Sequence, residues 1–222
     1  MKDKNQLILY SFRRCPYAMR ARLALSLCNI EVQLREVVLR DKPAELLHIS
    51  PKGTVPVLLL GNGQIIEQSL DIMLWAVGHK AADSRLTLAL DAQLQLIALH
   101  DQIFKPLLDR YKYPERHLEL SAQQHQYNAM YWLESHISNR LEGHTHLFGD
   151  HLSLADLAIV PFVRQCAAVD SAAFVRSTSA ALQDWLARLT SSALFESVMS
   201  KYPQWRAGDP PIWFGGASTP SA

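Results

Sequence analysis

The stretch Gln6–Cys28, "QLILYSFRRCPYAMRARLALSLC", decides how the fold begins. Its first part, Gln6–Phe12, is a short run of apolar and aromatic residues that predicts a buried strand. Between Pro16 and Cys28 the apolar residues recur every three or four positions, which predicts a helix with one buried face. Cys15 therefore lies where a strand passes directly into a helix.

The elements that follow complete a small mixed domain. Ile30–Leu39 alternates as a strand should, and Thr54–Gln68 has the pattern of a hairpin whose Gly61–Gly63 tip supplies positive φ angles. Ser69–Lys80 is an amphipathic helix with Ser69 as its predicted N-cap. The order strand, helix, strand, hairpin, helix predicts an α+β thioredoxin-like N-terminal domain over residues 1–79.

The pattern changes after a polar linker predicted at residues 80–85. From Leu86 onward the long segments carry helical periodicity without the alternation of strands. We therefore predict an all-α helical C-terminal domain over residues 86–222. Its end, Asp209–Ala222, is rich in Pro, Gly and Ser and is predicted to be an irregular tail.

Composition excludes several classes of function. The 222 residues contain 22 Lys and Arg against 21 Asp and Glu, so no basic excess is available for binding nucleic acid. No apolar run approaches the length of a membrane span, and the start does not resemble a signal peptide. Cys15, Cys28 and Cys166 are too few and too widely spaced for a disulfide framework or a zinc site. We expect a cytoplasmic protein without a metal.

Cys15 is the strongest candidate for chemistry. Pro16 suits the first helical position, so Cys15 is predicted at the N-cap, facing backbone N–H groups and the positive end of the helix dipole. Arg13 and Arg14 add positive charge, and such settings favour a nucleophilic thiolate. Since Ala18 occupies the position of a resolving cysteine, any mixed disulfide on Cys15 needs an external thiol. The alternative is a small buried residue that only caps a helix.

Two further segments suggest what that thiol is. The Val55–Pro56 bond either is cis, exposing the Val55 backbone to a ligand, or simply starts a strand. Gln68 and Ser69 stand at a helix N-terminus, which either binds a carboxylate or is a plain cap. Two helix N-termini and an exposed strand edge would accommodate a short thiol peptide with free carboxylates. Glutathione fits that description.

Four motifs give the chain a resemblance to a known family. They are "RRCPYAMRARLAL", "SPKGTVPVL", "IIEQSLDIMLW" and "HLSLADLAIVPFVRQ". Together they resemble the glutathione S-transferase superfamily, in its cysteine-containing, omega-like bacterial-type branch. The last motif is similar to the N-capping box and hydrophobic staple of the helical half, so Ser153 and Asp156 are interpreted as structural.

The resemblance implies a role for individual residues. It implies that Cys15 forms the mixed disulfide with glutathione, and that Lys42 contacts glutathione. It implies that Val55 and Pro56 belong to the strand that pairs with the cysteinyl backbone, and that Gln68 and Ser69 hold the γ-glutamyl end. Gln68 departs from the Glu of the omega-like pattern. Three further residues are candidates for an electrophile pocket: Tyr111, Tyr113 and Trp213.

Two classes of function follow. The first is an enzyme that transfers thiols through Cys15 with glutathione as co-substrate, acting on a small molecule or a disulfide. Conjugation to small electrophiles stays open because Tyr10 and Ser11 lie close by in sequence. The second is a non-catalytic interaction protein with the same fold. The resemblance also implies a two-fold homodimer.

Overall fold

A computed structural model describes residues 6–79 and 83–216 of the chain. The described residues form two compact units. The first unit contains the residues up to His79 together with those from Ala193 onward, and the second is Asp83–Ser192. Residues 80–82 of the predicted linker lie outside the described residues, and Ser84–Thr87 is a short 3₁₀-helix.

The first unit is built on a five-stranded mixed sheet. Its strand order is β4-β3-β1-β2-β5, with β1 and β2 parallel and the other neighbours antiparallel. The elements are β1 (Ile8–Ser11), α1 (Pro16–Leu27), β2 (Val32–Glu36), α2 (Ala44–Ile49), β3 (Val57–Leu59), β4 (Ile65–Ile66), α3 (Ser69–His79) and β5 (Ile212–Phe214).

The register of the sheet brings three chain segments to one edge. Parallel pairing of Ser11 with Glu36 puts the carboxyl ends of β1 and β2 side by side. Antiparallel pairing of Tyr10 with Val57 puts the start of β3 at the same edge. The predicted thioredoxin-like α+β domain is confirmed, although the second strand is shorter than the predicted Ile30–Leu39.

The C-terminal end differs from the prediction of an irregular tail within residues 86–222. Ile212–Phe214 forms the edge strand β5 on β2, in the first unit. Its three apolar residues occupy an edge that β2 would otherwise leave without hydrogen-bond partners, and Phe214 is buried. Gly215 follows with a φ of +90°, where a Cβ atom would lie 2.4 Å from the Ile30 carbonyl oxygen. The last predicted tail residues, 217–222, lie outside the described residues.

The second unit is helical, as predicted. Residues 83–192, all of them described, contain no β-strand. Its helices are α4 (Leu90–Leu99), α5 (Lys105–Lys112), α6 (Ala122–Leu133), α7 (Asn139–Leu141), α8 (Leu154–Ala167), α9 (Ser171–Ser177) and α10 (Ala180–Thr190). One more helix, α11 (Ala193–Val198), follows in the first unit and packs against α1.

No single helix within the described ranges is long and apolar enough to cross a membrane. The pair α8 and α9 passes that test only when taken together, and it is bent by 114°.

Asp156 organises the start of α8. It forms the predicted capping box, in which the Asp156 amide donates to Ser153 Oγ and the Ser153 amide donates to the carboxylate at 2.9 Å. The other carboxylate oxygen accepts from the Leu147 amide at 3.1 Å and from the indole N–H of Trp185 at 2.7 Å. Asp156 is fully buried, so it ties a loop and α10 to one helix N-terminus.

We expect Asp156→Ala to lower the free energy of unfolding strongly. Loss of the cap costs about 1 kcal/mol, and each buried N–H left without an acceptor, on Leu147 and Trp185, adds about 1–3 kcal/mol. Urea denaturation measures the change. Asp184→Ala, which removes an exposed carboxylate from α10, is the matched control and should change stability by less than about 0.5 kcal/mol. Equal effects of the two variants would contradict the structural role.

Candidate active site

Cys15 is the N-cap of α1, as predicted. Its backbone is extended (φ −76°, ψ 120°), Pro16 holds the first helical position, and the Cys15 side chain makes no capping hydrogen bond. The Met19 amide donates to the Cys15 carbonyl at 2.9 Å. The half-buried thiol instead points toward the Val55 carbonyl oxygen, to which its sulfur lies at 3.7 Å. The thiol is thus positioned between a helix N-terminus and the segment that leads into β3.

Val55 and Pro56 lie at the sheet edge reached by Cys15. The Val55–Pro56 peptide bond is cis, and β3 begins at the next residue, Val57. Val55 is buried and packs in one apolar cluster with Tyr10, Val57 and the half-buried Cys15. Of the two interpretations of Pro56, the structure therefore has the cis bond.

Lys42 lies close to the same segment. It is exposed just before α2, and its Nζ atom is 3.3 Å from the place that a Cβ atom of Gly53 would take. Gly53 has a φ of +60°, and a Cβ there would also come within 2.9 Å of Leu47 Cδ2. The glycine thus lets the Lys42 side chain lie across the backbone two residues before Val55.

Gln68 and Ser69 mark the start of α3, with one correction. Ser69 is the first helical residue and is 6% exposed. The Ile72 amide donates to the Gln68 carbonyl at 3.0 Å, so Gln68 takes the capping position that was predicted for Ser69. Gln68 itself is exposed. The carboxylate of the preceding residue, Glu67, accepts a hydrogen bond from Ser50 Oγ.

The hydroxyl groups of Tyr10 and Ser11 each accept a hydrogen bond from an arginine side chain. Tyr10 is buried, and its hydroxyl accepts from Arg35 Nη1 at 2.5 Å. Burial raises the pKa of the Tyr10 hydroxyl, which makes it a poor source of phenolate. Ser11 is fully buried, and its Oγ accepts from Arg22 Nη1 at 2.6 Å. Each of the two hydroxyl oxygens therefore has an arginine donor as its hydrogen-bond partner.

The three residues predicted for an electrophile pocket fall into two units. Tyr111, in α5, is buried, and its hydroxyl is 3.4 Å from Gln126 Nε2. Tyr113 ends the same helix with the Arg116 guanidinium 4.5 Å from its ring centre. Trp213 is 49% exposed on the edge strand β5, in the first unit. Because the three residues belong to two different units, the pocket stays a prediction.

Among the described residues, no group of three or more His, Cys, Asp or Glu side chains is arranged to hold a metal ion. All three cysteines are described, and none of them is in a disulfide.

Comparison with known proteins identifies the family. Residues 9–84 match the model of the glutathione S-transferase N-terminal domain, and residues 98–188 match that of the C-terminal domain. These two matches cover most of the chain. The chain therefore belongs to the glutathione S-transferase family.

Individual relatives agree with this assignment. The chain is 42% identical to a probable glutathione transferase of Aplysia californica over 25% of its own length and 60% of that protein. It is 39% identical to glutathione S-transferase omega-1 of Sus scrofa over 28% of its length and 25% of that protein. Both matches span less than two thirds of the relatives. Glutathione transferase Omega 3C of Trametes versicolor has the same fold, with a TM-score of 0.73, 22% identity, and 90% and 91% of the two chains covered.

The surroundings of the cysteines predict which thiol reacts in the folded protein. Cys166 is fully buried in α8, and burial raises the pKa of its thiol to about 12. Cys28 is also buried, at the C-cap of α1. We therefore expect iodoacetamide at pH 8 to alkylate Cys15 in the native protein and all three cysteines in urea, as read by peptide mass spectrometry. Modification of native Cys166 at the rate of Cys15 would contradict this prediction.

Proposed function

We propose that the protein is a glutathione-dependent thiol transferase with Cys15 as its nucleophile. One observation carries the proposal: the Cys15 thiol lies at the N-terminus of α1 and 3.7 Å from the Val55 carbonyl oxygen, while nearby hydroxyls have other partners. Backbone N–H groups and the helix dipole favour the thiolate there. Membership of the glutathione S-transferase family supports glutathione as the co-substrate.

The proposed reaction has two thiol–disulfide exchanges. The Cys15 thiolate attacks the glutathione sulfur of a mixed disulfide, forming a Cys15–glutathione disulfide and expelling the substrate sulfur as a thiolate, which takes a proton from solvent. The thiolate of a second glutathione then attacks the glutathione sulfur bound to Cys15. Oxidised glutathione leaves, and the Cys15 thiolate is restored. Ala18 cannot replace this second thiol, because it has no sulfur.

Glutathione binding is proposed at the residues around Cys15. The Val55 backbone would pair with the cysteinyl unit, as a strand edge pairs with an extended peptide. The N-terminal N–H groups of α3, which Gln68 and Ser69 begin, would bind the carboxylate of the γ-glutamyl end. Lys42, exposed beside Gly53, would reach the carboxylate at the other end of the peptide.

We also propose a two-fold homodimer in a reducing cytoplasm. The family resemblance supports the dimer, and cysteines without disulfides support the compartment. Light scattering at micromolar concentration distinguishes a dimer from a monomer.

The mechanism predicts a single covalent adduct. Reduced protein incubated with oxidised glutathione at neutral pH should gain one glutathionyl group, and reduced glutathione should remove it. Cys15→Ser should gain none, whereas Cys28→Ser should behave as the wild type because Cys28 is buried. Intact mass spectrometry reads all three results. Equal adducts on wild type and Cys15→Ser would exclude the mechanism and favour conjugation or a binding role.

The position of Lys42 predicts an effect of Gly53. We expect Gly53→Ala to weaken glutathione binding several-fold, since the new methyl group must displace Lys42 Nζ and Leu47 Cδ2. Lys42→Ala should have a comparable effect of about tenfold, or about 1.4 kcal/mol. Gly63→Ala is the matched control, because its φ is +90° but no atom lies within 4 Å of the added Cβ. Calorimetric titration with a glutathione S-conjugate measures the affinity, and equal losses in both glycine variants would refute the proposed contact.

A further inference from the structure

Two buried ions of opposite charge hold the loop that leads to Cys15. The Arg13 amide donates to Glu36 Oε1 at 2.7 Å, and the Arg13 carbonyl accepts from Arg22 Nη2 at 2.7 Å. The backbone N–H and C=O groups of Arg13, which belong to two consecutive peptide units, are thus both bonded to charged side chains. Arg22 is 1% exposed and Glu36 is 8% exposed. Sequence reasoning missed both residues, because a charged position within a helix or a strand ordinarily indicates a solvent-exposed face.

The same network continues on either side of Arg13. Arg22 Nη1 donates to Ser11 Oγ at 2.6 Å, and the Cys15 amide donates to the Phe12 carbonyl at 3.0 Å. Between β1 and α1, backbone groups of Phe12, Arg13 and Cys15 therefore have hydrogen-bond partners. Arg22 stands seven residues after Cys15, two helical turns along α1 and on the same face.

Hydrogen bonds offset only part of the desolvation free energy of these two buried charges. Arg22 Nε and Glu36 Oε2 are buried without a hydrogen-bond partner among the described residues. Burial lowers the pKa of Arg22 to about 10 and raises the pKa of Glu36, and each charge moderates the shift of the other. A buried pair of opposite charges often adds little to the free energy of unfolding, so its presence here points to a role in positioning.

We propose that Arg22 and Glu36 are positioning residues for Cys15, which fix the Ser11–Cys15 loop and set the ionisation of the thiol through their opposing charges. This inference rests on the proposed function, in which the Cys15 thiolate is the nucleophile. Arg22 interacts electrostatically with Cys15 and would favour its thiolate, whereas the negative charge of Glu36, bonded to the amide two residues before Cys15, would oppose it. The observed hydrogen bonds hold the loop backbone in place. The balance of the two charges then sets the pKa of the Cys15 thiol.

Other charged or titratable groups surround this pair. Arg13 and Arg14 lie on the loop itself, and the Arg14 guanidinium is 5.7 Å from the ring centre of Phe12. Tyr202, from the C-terminal segment of the first unit, interacts electrostatically with Arg22. These groups stay unchanged in the variants below, so any difference is attributable to Arg22 or Glu36.

The test is the pH dependence of Cys15 alkylation by iodoacetamide, with Cys15→Ser as the background. Arg22→Gln should raise the pKa of the Cys15 thiol by about 1. The rate of alkylation near neutral pH should then be roughly tenfold lower, because a smaller fraction of the thiol is ionised. Glu36→Gln keeps an acceptor for the Arg13 amide but removes the negative charge, so it should lower the thiol pKa by a similar amount. Arg22→Lys keeps the charge and should restore most of the pKa lost in Arg22→Gln.

The opposite signs separate positioning from a merely structural role. If the pair only supports the fold, Arg22→Gln and Glu36→Gln should shift the pKa of the Cys15 thiol in the same direction, toward the ordinary value of about 8.5. That result would overturn the proposal. Arg35→Gln is the matched control. Arg35 precedes Glu36 in β2, donates a hydrogen bond to the Tyr10 hydroxyl and stacks on the Trp205 ring. Its substitution therefore removes a charge and packing contacts from the first unit but none of the hydrogen bonds to Arg13.

Failure of this inference and failure of the proposed function are distinguishable. Alkylation requires no glutathione, so the two pKa shifts report on the thiol alone. Absence of the glutathionyl adduct on wild-type protein would overturn the function, whereas shifts of equal sign, or no shift in either variant, would overturn the roles of Arg22 and Glu36. If Arg22→Gln does not fold, as judged by circular dichroism, the sign in Glu36→Gln decides the inference by itself.

Discussion

The parallel pairing of β1 with β2 is the constraint on which the first unit depends. Parallel neighbours need a crossover, and α1 provides it by starting within a few residues of the end of β1 and packing against α3. This geometry puts the first turn of α1 at the carboxyl edge of the sheet. Cys15 is the residue at that junction, so its position follows from the topology of the chain.

The same edge collects the other parts of the proposed site. β3 runs antiparallel to β1, so its first residues, and Val55 before them, arrive where β1 ends. β2 runs parallel to β1, so Glu36 at its end lies beside the loop and accepts from the Arg13 amide. A domain built this way can hold a thiol, a strand edge and a helix N-terminus together without a long loop.

The two units use buried polar groups in comparable ways. In the second unit, Asp156 accepts from donors on a loop, a helix N-terminus and the Trp185 indole. In the first unit, Glu36 accepts from the Arg13 amide and Arg22 donates to the Arg13 carbonyl, so both backbone polar groups of one loop residue have charged partners. In each case a buried charge is matched by backbone groups that would otherwise lack partners. Such groups specify one local backbone conformation. Apolar packing alone specifies the backbone conformation less strictly.

The sequence by itself determined the local elements and the family. Hydrophobic periodicity, the Cys15–Pro16 helix start, the Ser153–Asp156 capping box and the change to helical periodicity near Leu86 are all short-range patterns, so they were predictable. Only the tertiary structure decided that Ile212–Phe214 completes the sheet. It also decided that Arg22 and Glu36 are buried and bonded to Arg13, in the loop before Cys15. These features depend on residues far apart in the chain. Strand pairing and the burial of charge are set by which surfaces meet, and local sequence patterns do not encode that.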